Sequence, residues 1–246
     1  MASAKLVRIA IAPVVLVLLV AGNWLALGDA QAHSTCSNAA NNHCYAIAGW
    51  DVTGSPSGFL GDATNIRSNC MTLGSYSGSE LQNEMWMSNN DNNNSWVEAG
   101  IKIGVHYNGT YSTTPTDFWA DLRPGQAFAD HFPGPYTLGN TIGVSLQKSS
   151  ASSTSFNVYV DGYGATSAPN FSGTSQYISA GNETTTTTVH TFGSVSAMGY
   201  KNLTGSWINN WSGVSSGAVL IPPDGTLHSN WVTQYAWMQS GAGATC

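Results

Sequence analysis

The chain has only four glutamates in 246 residues, Glu80, Glu84, Glu98 and Glu183. Two of them interrupt strongly β-patterned segments: Glu98 in Trp96-Val97-Glu98-Ala99-Gly100, and Glu183 in Ile178-Ser179-Ala180-Gly181-Asn182-Glu183. A structural strand rarely places a charge in mid-run beside a tryptophan, because burying an unpaired carboxylate is costly. Two carboxylates converging on one cleft supply what general acid–base hydrolysis needs, since each raises the other's pKa and one stays protonated while the other is ionised. The plainer alternative is a pair of half-exposed strand residues, with Glu98 neutralised by Lys102 on its own face.

Other chemistry-bearing patterns are weaker. Residues 213–217 read Gly-Val-Ser-Ser-Gly and fit the GxSxG nucleophile pattern around Ser215, but that pattern has meaning only between a strand and a helix of an α/β fold. The Asn/Asp run at 89–94 offers oxygen ligands without the spacing or acidic density of a calcium loop, so a polar hairpin loop is expected. There is no CxxC pair and no HExxH helix, so no zinc site is expected, and no metal or cofactor of any kind. The histidines, His43 beside Cys44 included, are given ordinary core or surface roles.

These residues must be positioned by strands. After the N-terminal region no window sustains apolar residues at i, i+3, i+4 and i+7, and Gly, Asn and Thr interrupt every candidate helix. Strand patterns recur at 44–50, 83–87, 95–105, 116–122, 142–148, 154–161, 176–189, 196–203 and 234–239, separated by turn signals such as Asn108-Gly109, Asp161-Gly162 and Pro223-Asp224-Gly225. Short strands at this spacing predict a sandwich or a barrel. Along 95–105, Val97, Ala99, Ile101, Ile103 and Val105 form an unbroken apolar row that must be buried, and Trp96, Glu98, Gly100, Lys102 and Gly104 share the other face. Glycines on that face predict room for something to approach the sheet. Glu84 and Trp86 alternate with Met85 and Met87 in the same way. In 116–122, Asp117, Trp119 and Asp121 alternate with Phe118, Ala120 and Leu122. In 176–189, Ser179, Gly181 and Glu183 alternate with Ile178, Ala180 and Asn182.

The N-terminus sets the compartment. Lys5 and Arg8 precede an apolar run over residues 9–27, and Ala30-Gln31-Ala32 has the small-x-small form of a signal-peptidase site. Residues 1–32 are therefore read as a signal peptide and 33–246 as one secreted domain, expected to be a monomer with no membrane span after removal of the signal. Formal net charge is −6, with seven basic and thirteen acidic residues and only 8% charged residues overall. So few cations exclude a phosphate backbone as partner, and so neutral a polar surface suits work at acid pH. The four cysteines, Cys36, Cys44, Cys70 and Cys246, allow three disulfide connectivities. Cys44–Cys70, closing a local loop, and Cys36–Cys246, tying the ends, are favoured.

Taken in order, Glu84-Met85-Trp86-Met87, Trp96-Val97-Glu98-Ala99-Gly100, Phe118-Trp119-Ala120-Asp121 and the segment ending in Glu183 resemble the core of the neprosin-type glutamic peptidases. They resemble more distantly the fungal eqolisin glutamic peptidases, which carry Gln-Thr-Gly where this chain has Glu98-Ala99-Gly100. The resemblance covers roughly residues 83–203. It implies a two-sheet antiparallel β-sandwich, of concanavalin-like or jelly-roll type, with a concave cleft. It also implies a secreted endopeptidase acting on polypeptides, with Glu183 as general base, Glu98 as its partner, and Trp86, Trp96, Trp119 and Asp121 lining the cleft. A non-catalytic carbohydrate- or peptide-binding module is the rival reading, since nine tryptophans suit stacking against sugars or prolines.

Overall fold

The computed structural model describes residues 43–51, 58–74, 78–88, 95–106, 108–122, 127–167, 174–185, 189–209, 218–221, 227–232 and 235–240. The expected signal peptide, Cys36, Cys246, Ser215 and the 89–94 run lie outside them. Fifteen strands are described. They are β1 (Cys44–Asp51), β2 (Gly61–Leu73), β3 (Glu80–Ser88), β4 (Trp96–Val105), β5 (Tyr111–Leu122), β6 (Ala129–Pro135), β7 (Thr141–Gln147) and β8 (Phe156–Val160), followed by β9 (Tyr163–Ser167), β10 (Tyr177–Thr184), β11 (Val189–Lys201), β12 (Trp207–Asn209), β13 (Ala218–Ile221), β14 (Leu227–Val232) and β15 (Tyr235–Ser240).

They form two sheets. The first runs β13-β1-β10-β3-β4-β5-β6, the second β14-β15-β11-β2-β7-β8-β9, with β12 beside β11. Every pairing given is antiparallel. The fold is thus the all-β two-sheet sandwich. Among the described residues no helix is long and apolar enough to cross a membrane.

The alternation read from the sequence generates the core directly. Leu81, Met85 and Met87 of β3, Val97, Ala99, Ile101 and Ile103 of β4, and Ile178 and Ala180 of β10 face Ile66 and Met71 of β2, Ile142, Val144 and Leu146 of β7, and Val158 and Val160 of β8, all buried in one cluster. Burying such a side chain is worth roughly 1.5–3 kcal/mol. A polar link crosses this core. Asn83 Nδ2 donates to Ser68 Oγ, Asn182 Nδ2 donates to Asn83 Oδ1, and Thr191 Oγ1 lies 3.5 Å from Asn83 Oδ1. Asn83 and Asn182 belong to the first sheet and Ser68 and Thr191 to the second, so the Asn83 amide keeps its partners across the core only when the sheets are in register.

Two expectations are corrected. The segment 176–189 is not one strand: β10 ends at Thr184 in the first sheet, and β11 begins at Val189 in the second. Strong β-propensity across the threonine run does not report a change of sheet. The glycine face of β4 is not left open for a ligand at Gly100, where a Cβ would lie 2.1 Å from the Asn83 carbonyl oxygen and 2.7 Å from Glu84 Cα. The space belongs to the backbone of β3. By contrast Asp161-Gly162 behaves as expected: both have positive φ, 46° and 85°, between the paired Val160 and Tyr163, the two-residue turn that a twisted hairpin favours. Cys44 and Cys70 are buried, and neither is a free thiol.

Candidate active site

Strand register assembles the site on the face of the first sheet turned away from the core. Tyr45 of β1 pairs with Glu183 of β10, which pairs with Gln82 of β3, which pairs with Lys102 of β4. Two positions along each strand, Gly181, Glu84 and Gly100 fall in line; two further on, Ser179, Trp86 and Glu98 do so. Side chains two apart share a face, so three glutamates from three adjacent strands point the same way. Carboxylate oxygens of Glu84, Glu98 and Glu183 all lie within 4.8 Å of one another, and the residues are only 1%, 4% and 5% exposed.

Beside them is a pocket of about 280 Å³ lined by His43, Tyr45, Glu80, Gln82, Trp86, Trp96, Glu98, Lys102, Phe128 and Glu183. One wall is aromatic: the Trp86 and Trp96 rings are 6.1 Å apart, Phe128 lies 6.3 Å beyond Trp96, and Tyr177 meets Trp86 edge-on at 6.0 Å. The opposite wall is ionic. His43 Nδ1 is hydrogen-bonded to Glu183 Oε1, His43 Nε2 lies 3.8 Å from Glu80 Oε1, and Lys102 Nζ lies 2.6 Å from Glu80 Oε2 and 3.7 Å from Asp130 Oδ2. The Tyr45 hydroxyl donates to Glu183 Oε1 at 3.3 Å, and the Trp96 indole N–H donates to Glu98 Oε2 at 3.1 Å.

Environment separates the carboxyls. Burial pushes Glu84 well above the usual carboxylate range, and the charges of Glu98 and Glu183 add to it. Burial likewise pushes Glu98 up, reinforced by Glu183 and opposed by Lys102. Burial acts upward on Glu183 too, but the hydrogen bond and charge of His43, joined by a hydrogen bond from Glu84 and the charge of Lys102, outweigh it and hold this carboxyl low. A carboxyl whose pKa is raised thus lies beside one whose pKa is lowered, an arrangement that could serve general acid–base chemistry. By ligand type and spacing, His43, Glu80 and Glu183, or Glu84, Glu98 and Glu183, are the described sets that could hold a metal ion.

Of the residues singled out in the sequence, Glu98, Glu183, Trp86 and Trp96 come together at the pocket. Trp119 and Asp121 do not. Glu98 pairs with Ala120, so Phe118, Ala120 and Leu122 share its face, and Trp119 and Asp121 turn to the other, opposite Ala99 and Val97. Trp119 packs in the core cluster and stacks on His131 with ring centroids 3.8 Å apart. Lys102 shares the face of Glu98, but its ammonium bonds Glu80. Sequence reasoning gave His43 only an ordinary core or surface role and singled out neither Tyr45 nor Phe128; all three lie outside the glutamate-bearing strands and carry no motif, yet they line the pocket. Glu84, by contrast, had its signal in the alternation with Met85 and Met87.

Solved structures share this architecture. A scytalido-glutamic peptidase crystallised with a transition state analog inhibitor matches with a TM-score of 0.57 over 80% of this chain and 98% of that one, at 10% identity. SCP-B, a member of the eqolisin family of peptidases in complex with the tripeptide Ala-Ile-His, matches with a TM-score of 0.52 at the same coverage and identity. No protein-family model matches the chain, and no curated protein matches it. At this identity the likeness is one of fold. The chain has the eqolisin fold, and the neprosin-type half of the sequence resemblance is not confirmed.

Proposed function

We propose that the chain is a secreted glutamic endopeptidase-like hydrolase, acting as a monomer on polypeptides. The observation that carries this reading is the meeting of Glu98 and Glu183, both buried with carboxylate oxygens within 4.8 Å, beside a pocket on a sheet of the eqolisin fold. Glu183, ionised, takes a proton from a water held between the two carboxyls as its oxygen attacks the peptide carbonyl. Glu98, protonated, donates a hydrogen bond to the oxyanion that develops. As the tetrahedral intermediate collapses, the proton gathered by Glu183 passes to the leaving amine. Trp86, Trp96 and Phe128 give the substrate an apolar wall against which to lie. The test is hydrolysis of a denatured protein by purified mature chain from pH 3 to pH 7. Cleavage that is absent throughout that range defeats the reading.

The same aromatic wall favours a second reading, a non-catalytic module that stacks sugars or prolines on Trp86 and Trp96. Specific binding on a glycan or peptide array, abolished by Trp86→Ala in a chain that cleaves nothing, is the result that selects it.

A further inference from the structure

Glu84, Glu98 and Glu183 are nearly equal in burial, so desolvation does not choose among them, and mutual repulsion only forbids all three from ionising. Their company differs. Glu183 is faced by His43 from the residue preceding β1, by Tyr45 from β1, by Glu80 and Glu84 from β3, and by Glu98 and Lys102 from β4. Lys102 is committed to Glu80 at 2.6 Å, with Asp130 of β6 on its other side. Glu98 receives a hydrogen bond from the neutral Trp96 indole, and the hydrogen-bond partner of Glu84 is Glu183 itself, another carboxyl. His43 is thus the cation in hydrogen-bond contact with one member of the cluster, and that member is Glu183. Glu80, 3.8 Å from its Nε2, flanks the imidazole on the far side.

We infer that His43 is the positioning residue that makes Glu183, rather than Glu84 or Glu98, the ionised carboxylate of the site. The catalytic meaning, that Glu183 is thereby the general base, rests on the peptidase reading; the assignment of charge does not. Burial lowers the imidazole, and the hydrogen bond and charge of Glu183, with the charge of Glu80, more than restore it against Lys102. With one partner held low and the other raised, the ion pair spans the window from below the ordinary carboxylate range to above the ordinary imidazole range. Glu183 is therefore available as a base in acid, where an unassisted buried glutamate would be protonated.

The inference is tested on the full mature chain labelled with ¹³C at the glutamate carboxyls. Four glutamates give four resonances, each assigned by its Glu→Gln variant and titrated in the parent and in His43→Asn, which keeps an N–H near Nδ1 but removes the charge. Glu183 is expected to titrate lowest of the three clustered residues in the parent. It is expected to rise by at least ~1 pH unit in His43→Asn, a tenfold change in its ionised fraction at acid pH, and to fall back in His43→Lys. The acid limb of kcat/KM should move up with it. Glu84 or Glu98 ionising first in the parent overturns the inference, and this holds even if the variant does not fold. An unmoved Glu183 in a folded His43→Asn overturns it too, as does a loss of activity that is equal at every pH. A parent that cleaves nothing defeats the peptidase reading instead, and the titration still decides the role of His43.

Discussion

Trp96 does two things at once: its ring joins the aromatic wall between Trp86 and Phe128, and its indole N–H reaches Glu98 Oε2 at 3.1 Å. The bond favours the ionised form of a carboxyl that burial and Glu183 push the other way. Trp96→Phe keeps an aromatic ring in the wall and removes the donor, so Glu98 should hold its proton to higher pH. A reaction that needs Glu98 protonated then keeps its rate further into alkali. The alkaline limb of kcat/KM is expected to move up by roughly half a unit to one unit, the scale of a single neutral hydrogen bond. A limb that moves down, or stays put, contradicts the protonated-partner role of Glu98.

At the scale of elements, the close approach of β3 to β4 is set by Gly100, which stands opposite Glu84 in the register. A Cβ there meets the Asn83 carbonyl oxygen at 2.1 Å and Glu84 Cα at 2.7 Å, both backbone atoms that cannot swing aside. Gly100→Ala should therefore displace β3 and, with it, both Glu84 and the Asn83 link to the second sheet. A loss of roughly 1–3 kcal/mol is expected in urea denaturation, together with weakened hydrolysis. A variant as stable as the parent would show that β3 is not held this tightly. Period-two alternation made each strand's two faces legible from the sequence, and it put Glu98, Lys102, Glu84 and Trp86 on the correct sides. It could not say which face of β5 continues the face of β4, because that depends on Glu98 pairing with Ala120 rather than with Trp119 or Asp121. A slip of one residue exchanges the faces, and nothing local in Phe118-Trp119-Ala120-Asp121 fixes the register. The sheet change after β10 was hidden for a related reason: both flanking segments are good strand formers.

For the whole molecule, the buried acids shift the pH of greatest stability toward acid. Asp117 is raised to about 7, first by burial and then by the charge of Asp161, and Glu84 and Glu98 are raised as well. A group whose folded pKa exceeds its unfolded value contributes stability at low pH and loses it as pH rises through the folded pKa. Glu183, held low, acts in the opposite sense, with a contribution lost as pH falls through its folded value. For Asp117 the window lies between its ordinary value of 3.8 and about 7. Asp117→Asn should thus melt close to the parent near pH 4, where the parent carboxyl is already neutral, and above it at pH 7. Equal shifts at both pH values would contradict this. The low overall charge legible in the composition agrees with such a profile, but which carboxyls are buried against one another is a property of sheet pairing and could not be read from their spacing.

The assignment of Glu183 as base and Glu98 as its partner is tested most directly by amide substitution at each. Both swaps conserve shape and should keep the fold. By the same linkage, however, Glu183→Gln, which gives up the pair with His43, should melt below the parent at neutral pH, and Glu98→Gln at or above it. The position matched by Glu98 is a glutamine in the eqolisins that the sequence resembles, and a side-chain amide still holds a water and donates to an oxyanion. Rates of hydrolysis of a denatured protein should therefore fall by ~10²–10⁴ in Glu183→Gln, the usual cost of losing a general base, while Glu98→Gln keeps part of its activity. Parental rates in Glu183→Gln, measured beside an active parent, would contradict the mechanism.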